Sequence, residues 1–557
     1  MTTRMVDLDG LLAGSLSRRT AVKAGLFSAV ALGGIGINQP VHGQAGGRLV
    51  IGKPGEVLNL DPHFSASQIT WEIQAVAYES LVFLDDALGP IPGLAESWET
   101  PDDRTYVFAL RQGVMFHNGR EMKADDVVFS LRRVLESPES WWNVKMGPSL
   151  EPDPATVEAA ASAEALGTPT AVGNRIGVTV EATGDYEVTA TLTEPYSPFL
   201  QSLSATTTSI VPAAEVESGE IDLTTMVVGT GPFRVVEHLP DQRWVFGKVT
   251  DYWQPGGAQL DEVVWQIIPD ESARVASLRT GEVQLALFEN PAVLDLLASD
   301  DNVTAVEQTT TNYYILFVNG NQPELADQRV RQAISLAMDR EEINLAALFG
   351  RGTVTGPIAS AFSELATPLA DLPFYTRDVE RARALLAEAG VGEGLALQLL
   401  VTPALAATVT MAEVLQEQLA EAGIEIEIVQ RDLATFVADY TDGESSQLAI
   451  SWWAGYSDPY LILVELGNGQ ATFIGMDDPA VDDLITRAAA EADPAMRVTI
   501  MRELEAAVAT LGNFQPMVTR NNFVAYRNDQ LGNVTFAAAD GFGLPLWHIL
   551  KDITLTQ

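Results

Sequence analysis

The chain has no cysteine among its 557 residues. Disulfide frameworks, Cys-based zinc sites, thiol nucleophiles and Cys-anchored lipids are therefore excluded. Histidine is nearly as scarce: His42, His63, His117, His238 and His548 are scattered without HExxH or other ligand spacing. Each reads as a structural or surface residue, and no metal or cofactor is expected. Positive charge is also short, with 33 Lys+Arg against 75 Asp+Glu and a net charge of -42. Such a surface repels nucleic acid and anionic membrane faces, and no Lys/Arg run reverses it locally. Long apolar runs are missing too. Ala24 to Ile37 carries no charge, but it is diluted by Gly33, Gly34 and Gly36 and falls short of the about 20 residues that a spanning helix needs. Leu448 to Trp453 is short enough to be a buried strand. No GxSxG elbow, Walker A loop or dinucleotide GxGxxG occurs. Gly229-Thr230-Gly231-Pro232-Phe233 comes nearest to a phosphate loop, yet it lacks the Lys-Ser/Thr and places a proline where a backbone donor is wanted.

What is present begins with an export signal. Ser17-Arg18-Arg19-Thr20-Ala21-Val22-Lys23 is a twin-arginine element, followed by the uncharged stretch and a small-residue exit ending at Ala45. That order of charged, apolar and cleavage regions marks residues 1–45 as a twin-arginine signal peptide. Cleavage after Ala45 removes Arg4, Arg18, Arg19 and Lys23 but only Asp7 and Asp9, so the mature chain is more acidic still. The 47% hydrophobic content is ordinary for a chain with a buried core.

Periodicity organises the remainder. Arg48 to Gly52 reads as a buried strand leading through Pro54-Gly55, and a helix follows through Trp71, Ile73, Val76 and Tyr78. Tyr106 to Leu110 is a strand, and Val127, Val128, Leu131, Val134 and Leu135 set the buried face of a helix over Ala124 to Leu135. Ser137 to Asn174 turns Pro- and Ala-rich and reads as an irregular excursion. Further strands are expected at Ile176 to Val180 and Tyr186 to Leu192. A helix through Val330, Ala333, Ile334, Ala337 and Met338 precedes one that stops at Gly390. Leu395 to Val401, the helix through Val414, Leu415 and Leu419 ending at Gly423, and Ile424 to Ile428 then make a βαβ unit, which predicts an α/β lobe with a largely parallel sheet.

Acidic pairs such as Asp125-Asp126 and Asp482-Asp483 point different ways on any regular element, so they read as solvated or helix-start charge. Aromatic groups beside Gly and Pro breaks are more telling. Trp141-Trp142, and Trp452-Trp453-Ala454-Gly455-Tyr456-Ser457-Asp458-Pro459, fit the walls of a ligand cleft between lobes.

Longer motifs carry a resemblance. Pro92-Gly93-Leu94-Ala95-Glu96-Ser97-Trp98-Glu99, the stretch from Tyr106 through Arg111-Gln112-Gly113 to Phe116-His117-Asn118-Gly119, and Ala124-Asp125-Asp126-Val127-Val128-Phe129-Ser130-Leu131 are similar to the signature of family 5 solute-binding proteins. Gly229 to Phe233, Tyr252-Trp253, Arg329 to Asp339 and Ala387-Glu388-Ala389-Gly390 continue it in family order. These are extracytoplasmic receptors of peptide/nickel-type ABC importers. The resemblance implies an α/β fold of periplasmic-binding-protein type II: a clam shell of two α/β lobes and a hinge, with an additional inserted third lobe. Lobe I would comprise 46–86, 205–310 and 526–557, lobe II 87–204, and lobe III 311–525. Arg111, Gly113, Asp126, Arg329 and Arg331 would be structural, as would Gln284, which stands where the family usually has Asp.

The implied function is a monomeric, soluble periplasmic receptor, exported by the twin-arginine route, non-catalytic, passing a peptide-like or oligosaccharide-like solute to an ABC permease. Alternatives are a secreted glycoside hydrolase acting through a hidden acid pair and a nickel-chelate receptor. Peptide-binding members resemble W-x-x-D-x-x-D-P in the loop that begins here at Trp452, and their first Asp pairs with the peptide α-ammonium. Gly455 stands at that position, so a free-amine peptide loses its partner unless Glu56 or Asp458 replaces it. Expected ligand contacts are Trp452, Trp453 and Tyr456 as stacking walls, Asp458 as anchor or polar contact, Trp141 and Trp142 from lobe II, and Glu56 and Asn59 after the first strand.

Overall fold

The computed structural model describes residues 46–57, 59–64, 68–85, 88–137, 140, 177–391, 394–453, 455–467, 470–536 and 550–556. The twin-arginine segment, Trp141, Trp142, His548 and most of the Ser137 to Asn174 excursion lie outside the described residues. No helix among those described is long and apolar enough to cross a membrane.

From its N-terminal end the described chain runs through β1 (Arg48–Lys53), a helix Gln68–Ala77 and the hairpin β2 (Val82–Leu84) and β3 (Pro90–Pro92). β4 (Ala95–Glu99) and β5 (Thr105–Leu110), then β6 (Val178–Gly184) and β7 (Glu187–Leu192), form an antiparallel sheet of order β4-β5-β7-β6. The helix Ala124–Glu136 covers it, burying Val127, Leu131, Val134 and Leu135 as the spacing predicts. Asp126 closes its first turn by accepting from the Lys123 amide. The chain then returns through β8 (Phe233–Leu239), β9 (Arg243–Lys248), β10 (Glu262–Ile267), β11 (Leu285–Phe288) and β12 (Val303–Gln308). β13 (Tyr313–Val318), β14 (Leu395–Val401), β15 (Ile424–Gln430), β16 (Leu448–Trp453) and β17 (Phe514–Thr519) build a five-stranded sheet of order β15-β14-β16-β13-β17. Finally β18 (Asn522–Arg527) completes a seven-stranded sheet of order β12-β18-β11-β1-β10-β9-β8.

The expected βαβ unit is present. β14 and β15 pair in parallel over seven residues around the helix Ala406–Glu421. The sheet holding them is largely parallel as expected, β15, β14, β16 and β17 running one way, with β13 inserted antiparallel between β16 and β17. The helix Val379–Glu388 does end before Gly390, whose φ of 76° is the left-handed conformation that glycine adopts most easily.

Every residue of β13 is buried, since helices cover both faces of its sheet. Tyr313, Ile315 and Phe317 join one apolar cluster, and Tyr314, Leu316 and Val318 join another. That is the two-residue period of a strand read out in packing. Burying each such side chain fully contributes about 1.5–3 kcal/mol.

Residues expected to be structural behave so. Arg111 donates to the Gly93 carbonyl and stacks on Trp253. Arg331 holds the Leu325, Ala326 and Leu511 carbonyls, and Arg329 pairs with Asp327. Gln284 bridges the Val50 amide and the Gly281 carbonyl. In the glycine-rich loop, a Cβ at Gly229 or Gly231 would strike the Ala77 backbone at 2.1 and 2.8 Å. Those glycines admit a close approach to the end of the helix Gln68–Ala77, and they make no phosphate cradle.

Candidate ligand-binding site

Two short segments join the seven-stranded and five-stranded sheets: 309–312 runs from β12 to β13, and 520–521 from β17 to β18. The second crossing comes before residue 525, so the expected edge of lobe III falls inside β18, a strand of the seven-stranded sheet. Both crossings are polar and tied together. Thr310 Oγ1 donates to the Arg520 carbonyl at 2.7 Å, and the Arg520 amide donates to the Asn312 carbonyl at 2.8 Å. Asn521 Nδ2 reaches Glu307 Oε1 at 2.8 Å and the Arg351 carbonyl at 2.7 Å. Arg351 in turn pairs with Asp295 and Glu307 across the same junction.

β1, β10 and β11 are mutually parallel, and so are β14, β15 and β16. The C-terminal ends of β12 and β16 lie at the crossings: Gln308 leads straight into the first one, and Trp453 pairs with Tyr313 just beyond it. Open α/β sheets bind ligands outside the C-terminal ends of their strands. The crossings therefore form the floor of the candidate cleft.

The loop after β16 begins on this floor. Gly455 donates its amide to Asn312 Oδ1 at 2.8 Å. A Cβ placed on Gly455 would lie 2.2 Å from the Thr311 carbonyl oxygen and 2.3 Å from Thr311 Oγ1. No side chain fits there on this backbone. The missing aspartate thus coincides with a close approach of the loop to the hinge.

Among the expected contacts, Trp452 and Trp453 do not share a wall. As neighbours on a strand they face opposite sides: Trp452 packs with the Tyr314 cluster and Trp453 with the Tyr313 cluster. Trp453 sits edge-on to Phe317 and Phe514. The Trp452 ring carries the Arg520 guanidinium, 5.0 Å from its centroid. Tyr456 is only 2% exposed, and its hydroxyl donates to Glu465; burial holds that hydroxyl well above the usual tyrosine range. Asp458 anchors the loop by accepting from the Tyr460 amide and Arg497, both at 2.8 Å.

Glu56 and Asn59 sit on the β1 exit. Glu56 accepts from the Trp244 indole at 2.7 Å, the Asp241 amide at 2.8 Å and the Val57 amide. Partial burial works to raise its pKa, but these bonds more than offset it and hold the carboxyl below the usual range. Asn59 closes a local turn onto the Asp61 amide and Phe64 carbonyl. Both candidate replacement carboxylates, Glu56 and Asp458, are therefore engaged within the fold.

The opposite bank touches this loop. Ser457 Oγ donates to the Gln201 carbonyl at 3.2 Å, Tyr196 meets Tyr460 edge to face at 5.8 Å, and the Ser197 amide donates to Ala489. Sequence reasoning missed Asn312 and Arg520. The signal available was polarity: Gln308-Thr309-Thr310-Thr311-Asn312 and Arg520-Asn521-Asn522 interrupt otherwise apolar strands.

Comparison with known proteins agrees with this architecture. The dipeptide-binding protein of Escherichia coli strain K12 is 29% identical over 486 residues, covering 82% of this chain and 86% of that one. Heme-binding protein A of Haemophilus influenzae is 31% identical over 385 residues, 66% of this chain and 67% of that one. The crystal structure of the ABC transporter substrate-binding protein CtaP from Listeria monocytogenes superposes with a TM-score of 0.78 at 22% identity, covering 92% of this chain and all of that one. The family model for the middle region of the bacterial extracellular solute-binding proteins, family 5, matches residues 89–472. With two sheets joined by paired crossings and most of its length matched in this way, the chain belongs to the family 5 bacterial extracellular solute-binding proteins.

Proposed function

We propose that this protein is the non-catalytic, monomeric periplasmic receptor of an ABC importer. It closes on a small peptide-like or oligosaccharide-like solute and presents it to the permease. The observation that carries this reading is the pair of hydrogen-bonded crossings beneath converging strand ends, since a solute touching both banks there stabilises only the closed arrangement. Residues 46–86, 205–310 and 526–557 act as lobe I, 87–204 as lobe II and 311–525 as lobe III, apart from the start of β18. Residues 1–45 direct export by the twin-arginine route, which their Arg18-Arg19 pair supports. Trp452 supplies a stacking surface. Trp453, Tyr456, Asp458, Glu56 and Asn59 shape the two banks around it, and Trp141 and Trp142 add contacts from lobe II.

The solute is not held through an ammonium at the loop, because Gly455 has no carboxylate and no room for one. Mass spectrometry of the native protein tests the proposal: stoichiometric retention of an intact solute is expected, and turnover of a peptide or oligosaccharide would replace the receptor with a hydrolase. Trp452→Ala should weaken binding of that solute about tenfold or more, about 1.4 kcal/mol, while its lost packing lowers the melting midpoint and leaves the protein folded; unchanged affinity removes Trp452 from the site.

A further inference from the structure

Arg520 stands on the return crossing, between β17 and β18. Among the described residues, only Arg234 and Arg520 carry a guanidinium without an ion pair or hydrogen bond; Arg234 is exposed, whereas Arg520 is half-buried. Its neighbour at the junction, Arg351, is neutralised by Asp295 and Glu307. Other buried or half-buried arginines without a carboxylate, Arg111, Arg331 and Arg340, give their donors to backbone carbonyls, whereas the half-buried Arg520 guanidinium has no acceptor. A guanidinium presents five donors and accepts nothing, so its natural complement is an anion.

The surroundings prepare it for one. The Trp452 ring beneath the guanidinium supports it by cation–π contact. Asn312 lies directly across the ladder, its carbonyl bonded to the Arg520 amide, which puts the two side chains on one face. Its Oδ1 is taken by the Gly455 amide, and that orients the amide group. Its Nδ2 is left as a donor, buried and without a partner, in a residue only 1% exposed. A buried unpaired donor is costly, and it is most economically explained by an acceptor that arrives with the ligand.

We infer that Arg520 and Asn312 hold the anionic group of the solute, a carboxylate by its chemistry. The guanidinium fork takes both oxygens, the Asn312 amide donates a further bond, and Trp452 receives the apolar or ring portion beside it. This assignment deepens the receptor reading above and rests on it. The arrangement reverses the polarity of an ammonium-binding loop: the carboxylate is absent at Gly455, and a cation stands on the hinge. The surrounding acidity repels anions in general, so selection falls to this local cation.

The test is calorimetric titration of the exported, solute-stripped protein with matched probes: trialanine, N-acetyl-trialanine and trialanine amide, and cellobionic acid against cellobiose. The acid of one pair should bind at least about tenfold more tightly than its neutral counterpart, and acetylation of the amine should change little. The peptide and sugar arms identify which source supplies the carboxylate. Arg520→Ala should abolish the preference and Arg520→Lys keep part of it, with Arg520→Gln substituting if the alanine variant does not fold. Equal binding of neutral and acidic members, or a preference that survives Arg520→Ala, overturns the assignment. If none of the probes binds, the peptide and oligosaccharide classes fall, and native mass spectrometry decides Arg520 separately: an anionic retained solute lost from Arg520→Ala upholds it, and a neutral or cationic one overturns it.

Discussion

Gly455→Ala adds one methyl group at the point where the loop after β16 meets the hinge. The added carbon would lie 2.2 Å from the Thr311 carbonyl oxygen, 2.3 Å from the Thr311 carbonyl carbon and 2.3 Å from its hydroxyl. Reaching even 3.0 Å requires a retreat of about 0.8 Å, and two of the three obstacles are backbone. Overpacking of this kind costs about 1–3 kcal/mol. The displacement also strains the Gly455–Asn312 hydrogen bond, which contributes about 1 kcal/mol. Together the change should cost about 2–4 kcal/mol, which lowers the midpoint of a lobe of this size by about 4 °C or more. Differential scanning calorimetry reads the midpoint, and titration with the native solute reads the accompanying loss of affinity as Asn312 is displaced. Gly455→Asp should be at least as damaging and should gain no affinity for trialanine over N-acetyl-trialanine. A Gly455→Asp protein that melts like the wild type and newly prefers the free amine would refute the reasoning, because the glycine would then be a simple loss of function at an otherwise open position.

Other perturbations probe the frame around the cleft. Glu79 is buried where Tyr252, Trp253 and Thr230 donate to it, and burial pushes its carboxyl up to about 7 from 4.5. The folded state therefore holds a proton that the unfolded state has released, and stability is lost as pH rises from about 4.5 to about 7. Glu79→Gln should gain on the wild type by up to about 3 kcal/mol across that window and then level off; a difference independent of pH in urea titrations would contradict this. His63 runs the other way, because burial and the Arg133 charge lower it to about 4 from 6.5, against the opposing pull of Asp61. Its contribution is lost as pH falls from about 6.5 to about 4, and His63→Gln should flatten that limb of the stability curve. Lys53 and Glu72 form a pair that is all but fully buried, with the Lys53 ammonium over the Trp265 ring. Lys53→Met should cost about 3–5 kcal/mol by leaving Glu72 unpaired, and Lys53→Met with Glu72→Leu should recover most of it; no recovery in the double variant would argue that the ammonium itself is required. Added salt should raise the midpoint of so acidic a chain by screening its self-repulsion, and a midpoint that stays flat or falls would assign the acidity another role.

The legible parts of this fold were those in which one residue pattern answers to one physical demand. Val330, Ala333, Ile334 and Ala337 had to lie on one helix face, and Leu395 to Val401 with the alternating Ile424 to Ile428 had to be strands flanking a helix; the structure places them so. Strand direction was not legible for β13, because an unbroken apolar run is required of any strand covered on both faces, whether its neighbours are parallel or antiparallel. The site divides in the same way. Aromatics beside Gly and Pro marked the loop after β16, but their facing was set by strand alternation, and that separates Trp452 from Trp453. Glu56 and Asp458 showed only charge in sequence, with nothing to say that Trp244, Asp241, Tyr460 and Arg497 would occupy their oxygens.

Arg520 and Asn312 were the least legible, because their meaning is a property of the crossing and not of any local pattern. They are separated by 207 intervening residues in sequence yet adjacent in one ladder. The same ladder explains why a glycine, the least informative residue in a motif, is so constrained here. Gly455 must come close enough to give its amide to Asn312, and Asn312 must face Arg520 across the strands. An acidic side chain at 455 would strike Thr311 and displace Asn312, the residue that faces Arg520 across the ladder. Absence of the carboxylate and the placing of Asn312 beside the cation are therefore one arrangement, and restoring the carboxylate should disrupt that pair: Gly455→Asp, if it folds, should weaken binding of acidic solutes.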